Sequence, residues 1–130
     1  MSLPELDLAK TVASLVEDFV QKTRDDAKRA IAVETGGLPV YADLDGYIVL
    51  LPTGVFILYT LETGDSAVVT DDRWRTLAKV AAAESFPELA ILRPARPAEA
   101  VSCPSCGGRG RLRLASLRCG VCWGTGWTLP

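Results

Sequence analysis

Residues 103–127 read CPSCGGRGRLRLASLRCGVCWGTGW. One pattern, C-x-x-C-x-G-x-G, occurs twice here, as Cys103, Cys106, Gly108 and Gly110 and again as Cys119, Cys122, Gly124 and Gly126. All four cysteines of the chain lie in it, and twelve residues separate the second from the third. A C-x-x-C turn presents two thiolates to one side of an ion, and a second such turn closes the tetrahedral sulfur shell that zinc accepts. A glycine two residues after each second cysteine allows positive φ, so that the backbone folds back over the sulfurs and its N–H groups can support them. The pattern predicts one zinc ion per chain, with Cys103, Cys106, Cys119 and Cys122 as ligands and Gly108, Gly110, Gly124 and Gly126 shaping the backbone around them. Four protein ligands leave no open position, so hydrolytic zinc chemistry is not expected. The R-L-R-L alternation that starts at Arg111 predicts a hairpin over Arg111–Arg118.

The duplicated motif resembles the cysteine-rich zinc domain of DnaJ-type co-chaperones, where four such motifs bind two zinc ions, each ion held by a pair. The resemblance covers about 25 of 130 residues. It implies one zinc here, and it implies a role in holding polypeptides. It does not reach a J-domain, whose His-Pro-Asp signature a chain without histidine cannot carry. Thiol–disulfide exchange is the competing reading and the only enzymatic one with support, because C-P-S-C resembles a reactive dithiol. A redox site needs one cysteine pair, however, and would leave the glycines unexplained.

Trp123 and Trp127 flank the last motif. On the simpler view they cover a knuckle that has little core of its own. On the other they join Arg109, Arg111, Arg113 and Arg118 in a basic, aromatic surface of the kind that binds single-stranded nucleic acid. Four arginines are few for that task, and the acidic remainder of the chain would repel phosphates.

Outward from the motif, Arg93-Pro94-Ala95-Arg96-Pro97-Ala98 predicts a stiff linker between an α+β body at 1–92 and a zinc-binding module at 99–130. Charge changes sign at the same place. Residues 1–92 carry 8 Lys+Arg against 15 Asp+Glu, and residues 93–130 carry 6 Arg against one Glu. Before the linker, Trp74, Leu77, Ala78 and Ala81 mark one helical face, with Thr70 as the expected N-cap, Asp71 and Asp72 in the first turn and Pro87 beyond the end. Leu89, Ile91 and Leu92 are expected to return the chain to the body. Earlier still, Gly46–Leu51, Val55–Thr60 and Ser66–Val69 read as strands separated by the turns Pro52-Thr53-Gly54 and Glu62-Thr63-Gly64-Asp65. Residues 38–45 read as a loop or edge strand. In it, Asp43 and Asp45 are cation candidates that turn chemistry explains equally well. Residues 4–34 read as helical, with Asp25-Asp26 marking a break or a second N-terminus. Leu8, Val12, Leu15, Val16, Phe19 and Val20 form the apolar stripe, which Ala27, Ala30 and Ile31 continue. That stripe faces the chain's own sheet or, alternatively, a second copy in a homodimer.

The expected fold is therefore α+β: an N-terminal helix, a three- to four-stranded antiparallel meander, a second helix and a four-cysteine zinc knuckle. Lack of histidine removes imidazole acid–base chemistry and the Ser–His and Cys–His nucleophiles. The N-terminus shows no signal-peptide pattern and no apolar run is long enough to span a bilayer, so a cytoplasmic protein without membrane partners is expected. The function that follows is a non-enzymatic zinc protein that binds another protein or peptide. The meander followed by A-E-S-F-P-E-L, residues 83–89, also resembles the bacterial immunity proteins of the cell-wall-assembly-regulator (SUKH) superfamily, which would imply toxin binding as an alternative.

Overall fold

A computed structural model describes residues 4–42, 46–111 and 119–130. Asp43, Asp45, Arg113, Arg118 and most of the expected 111–118 hairpin lie outside the described residues. The chain divides into two compact units, Met1–Val69 and Thr70–Pro130.

In the first unit the N-terminal run forms two helices rather than one, α1 (Pro4–Lys22) and α2 (Asp26–Thr35). Asp25 makes the break: its backbone is extended and its carboxylate accepts the Lys28 N–H at 3.0 Å, the capping bond of a new helix. Arg29 joins the two helices, donating to the carbonyl oxygen of Val20 at 2.9 Å and to that of Thr23. The break also resets the helical phase. Val12 in α1 and Ile31 and Ala32 in α2 are buried, but Ala27 and Ala30 are exposed and do not continue the stripe as expected. Gly36, left-handed at φ 69°, ends α2 with its N–H on the Ala32 carbonyl at 2.8 Å.

The sheet is a four-stranded antiparallel meander in the order β1 (Leu38–Ala42), β2 (Gly46–Leu50), β3 (Phe56–Thr60), β4 (Ser66–Val68). Pro39 lies on the edge strand β1, where a missing N–H is tolerated, and the register slips between Pro39 and Tyr41 as Val40 bulges. Val49 and Ile57 pack with Ile31 of α2, bordered by Tyr47, Leu51 and Tyr59. On the opposite face Ile48, Leu50 and Phe56 are buried too, which accounts for strands that are apolar on both sides.

In the second unit α3 (Asp72–Ser85) is capped by Asp71, not by Thr70 as expected. The Asp71 carboxylate accepts the N–H groups of Arg73 at 2.8 Å and Trp74 at 3.3 Å. A carboxylate at the helix N-terminus adds charge to the capping bond, an advantage the Thr70 hydroxyl lacks. α3 buries Leu77, Ala78, Val80, Ala81 and Ala82 and ends before Pro87. A 3-10 segment, Pro87–Leu92, follows. The segment kinks at Leu89, whose backbone leaves the helical region, and Leu89 is buried and Leu92 half-buried while Ile91, expected to pack, is 73% exposed. Strands β5 (Val101–Ser102) and β6 (Trp127–Thr128) then pair antiparallel and clasp the two ends of the cysteine segment. Among the described residues no helix is long and apolar enough to cross a membrane.

Candidate metal centre

The two motif copies meet head to head. The first cysteines pair, with Cys103 Sγ 3.8 Å from Cys119 Sγ, and so do the second, with Cys106 Sγ 3.7 Å from Cys122 Sγ. All four sulfurs lie within 4.8 Å of one another and all four side chains are buried. The thiols are free, at separations far beyond the ~2.05 Å of a disulfide bond. Sulfurs placed tetrahedrally around an ion at about 2.3 Å stand about 3.8 Å apart, so the donor set fits a metal ion such as zinc.

The backbone repeats with the same symmetry. The Cys103 N–H donates to the Gly126 carbonyl and the Cys119 N–H to the Gly110 carbonyl, both at 2.9 Å. The Gly110 N–H reaches Cys106 Sγ at 3.2 Å and the Gly126 N–H reaches Cys122 Sγ at 3.3 Å. N–H groups aimed at sulfur suit thiolates, and they distribute the negative charge that four ligands around a divalent ion would carry. Glycine is required at both donors by close approach as well as by φ, which is 77° at Gly110 and 87° at Gly126. A Cβ on Gly110 would run into the Gly124 carbonyl, and one on Gly126 would lie 2.5 Å from the Gly108 oxygen.

Cys106 and Cys122 are shifted in opposite directions. Burial pushes Cys106 up, but the Gly110 N–H, the neighbouring sulfurs of Cys122 and Cys103 and the Gly108 N–H outweigh it and bring it down to about 7. Burial carries Cys122 up to about 11, and the sulfurs of Cys106 and Cys119 add to that, against the opposing N–H groups of Gly126 and Gly124.

Around this centre the remaining candidates divide. Trp123 packs edge-on against Trp74 of α3, ring centroids 5.5 Å apart at 61°, and the Arg73 guanidinium lies 5.5 Å from the Trp123 ring centre. Arg111 pairs with Glu84 of α3 at 2.7 Å, and Arg93 joins the same carboxylate at 3.2 Å. Arg109 is exposed, whereas Trp127 is half-buried in β6. Trp123, Trp127 and Arg111 thus fall within one unit, together with Trp74 and Glu84, which sequence reasoning did not attach to the site. Aligning the two motif copies would have flagged Trp123, because it stands where the first copy has Gly107. Like Gly107 at φ 65°, Trp123 is left-handed, at φ 56°. That conformation costs a non-glycine residue about 1–2 kcal/mol. An edge-to-face ring pair returns about 0.5–1.5 kcal/mol and an exposed cation–π contact about 0.5–1 kcal/mol, so strain and contact nearly balance.

No protein-family model matches the chain, and no curated protein or solved structure is similar to it at a significant level.

Proposed function

We propose that this chain is a non-enzymatic zinc protein in which one ion, held by Cys103, Cys106, Cys119 and Cys122, shapes a surface that binds another protein or peptide. The observation that carries it is the sulfur geometry: two 3.7–3.8 Å edges, four buried thiols within 4.8 Å, and glycine N–H groups directed at two of them. Zinc there supplies a cross-link between two turns that have little apolar core to fold on. The motif's likeness to the DnaJ-type zinc domain supports the same role, a structural ion beside a polypeptide-binding surface. A closed, buried sulfur shell also favours structure over thiol exchange, since buried thiols react slowly. Native mass spectrometry of the purified chain should show one zinc per chain, lost to chelator. Capture of partners from lysate should then depend on that zinc. A chain that carries no metal as isolated and takes none up overturns the zinc assignment. Zinc binding without any zinc-dependent partner overturns the interaction role alone.

A further inference from the structure

The two copies of the motif share backbone hydrogen bonds and the sign of φ, but they differ in one residue that matters mechanically. One position after the second cysteine, the first copy has Gly107 and the second has Trp123, and both are left-handed. Trp123 is the one non-glycine residue with positive φ among the described residues. A Cβ at Gly107 would meet nothing within 4 Å, whereas the Trp123 indole lies against Trp74 and Arg73 of α3.

The aromatic seat and the backbone strain are of the same order, so the seat alone does not hold the turn. What adds to it is the neighbouring residue, Cys122, whose sulfur is fixed in the cluster 3.7 Å from Cys106 and receives the Gly126 N–H. We infer that Trp123 is a positioning residue that couples occupancy of the metal centre to the packing of α3, an inference that rests on the zinc reading above. Ligation of Cys122 fixes the turn, the fixed turn holds Trp123 left-handed, and a left-handed Trp123 seats its indole on Trp74. Without the ion the turn relaxes to negative φ and the indole leaves α3. The groove that Trp123 shares with Asp72, Arg73, Thr76, Val121 and Leu129 changes shape with it. The matching position of the first turn, Gly107, carries no side chain to seat, and the first motif's own link to α3 is the exposed Arg111–Glu84 ion pair instead.

The test uses the full-length chain loaded with zinc and titrated with a chelator. Native mass spectrometry follows the metal, near-ultraviolet circular dichroism follows the Trp74–Trp123 pair, and hydrogen exchange follows α3. The aromatic signal should collapse in step with zinc loss and return on re-addition. Trp74→Phe and Trp123→Phe should each remove that metal-dependent signal while keeping one zinc per chain. Trp123→Gly relieves the strained backbone. It should bind zinc at least as tightly as the parent while making α3 exchange markedly less responsive to zinc than in the parent. Zinc loss with unchanged dichroism and exchange, or a Trp123→Gly chain whose α3 still responds as the parent does, overturns the coupling and leaves the zinc assignment standing. Failure of the parent chain to take up zinc overturns both.

Discussion

Gly107, Gly110 and Gly126 all have positive φ, yet they stand in different surroundings, so alanine at each should separate backbone strain from steric fit. At Gly107 an added Cβ meets nothing within 4 Å, and only the left-handed backbone resists it, a penalty of about 1 kcal/mol. At Gly110 and Gly126 the Cβ meets a carbonyl oxygen as well, and the turn that supplies an N–H to sulfur has to move. Gly110→Ala and Gly126→Ala should therefore lose zinc to a chelator much faster than Gly107→Ala does. Equal rates for all three would mean that the N–H···S bonds contribute little to retention. The cysteines give a pH prediction at the same scale. A metal-free Cys106 held near 7, below its usual 9, is a thiolate from neutrality upward, whereas Cys122, raised to about 11, keeps its proton there. The lowered thiol favours the folded chain above its unfolded value near 9, and that contribution fades as pH falls through about 7. The raised thiol favours the folded chain below 9, and its contribution fades as pH climbs toward 11. Zinc must displace the remaining protons, so uptake should release protons at pH 8 and weaken steadily as the pH is lowered below 7. Zinc affinity that is flat from pH 8 to 6 would contradict this ionisation order.

Helix α3 depends on a cap that its sequence identified only to within one residue. Two N–H bonds, from Arg73 and then Trp74, hold the Asp71 carboxyl below its ordinary 3.8, partly opposed by burial and aided by the Arg73 side chain. A lowered acid stabilises the folded form above its unfolded pKa and loses that contribution as pH falls through the lower folded value. Asp71→Ala should lower the melting temperature at pH 7, whereas Asp71→Asn, which keeps an oxygen acceptor, should lower it less and flatten the acid side of the stability profile below pH 4. Identical profiles for parent and Asn variant would show that the charge at this cap is immaterial. Sequence places the cap at Thr70 because three consecutive residues, Thr70, Asp71 and Asp72, can all cap a helix, and only the path of the backbone chooses among them. The meander was easier to recognise, because β-branched and aromatic runs separated by Pro-Thr-Gly and Glu-Thr-Gly-Asp turns leave little choice of pairing. The α1–α2 break was visible as Asp25-Asp26. What it did to the stripe was not, since the angle at which a new helix departs depends on contacts such as Arg29 on Val20, nine residues away. The cysteine cluster was the most legible feature, a duplicated local pattern whose spacing carries the geometry. Trp123's left-handed backbone is signalled by no propensity of tryptophan, only by the glycine at the matching position of the first copy, Gly107.

The two units differ in composition as well as in chain position. Met1–Val69 contains five Lys+Arg against eleven Asp+Glu, and Thr70–Pro130 contains nine against five. The proline-rich stretch at 93–98 suggested a division there, but the compact units part at Val69/Thr70, which groups α3 and the 3-10 segment with the cysteines. Glu84 shows why within that unit: its carboxylate takes Arg93 from the proline-rich stretch and Arg111 from beside the first motif. Exposed pairs of this kind contribute at most about 1 kcal/mol each, so the metal, rather than this ion triad, should dominate the unit's stability. A ligand that binds only the folded form stabilises it by about 2.7 kcal/mol when present at a hundred times its dissociation constant. That gain should be confined to whatever unfolds together with the four sulfurs. Hydrogen exchange with and without excess zinc should therefore protect peptides from 70–130 far more than those covering β2 and β3. Equal protection across both sets would mean that the chain opens as a single cooperative body, and the separation at Val69/Thr70 would then have no thermodynamic counterpart.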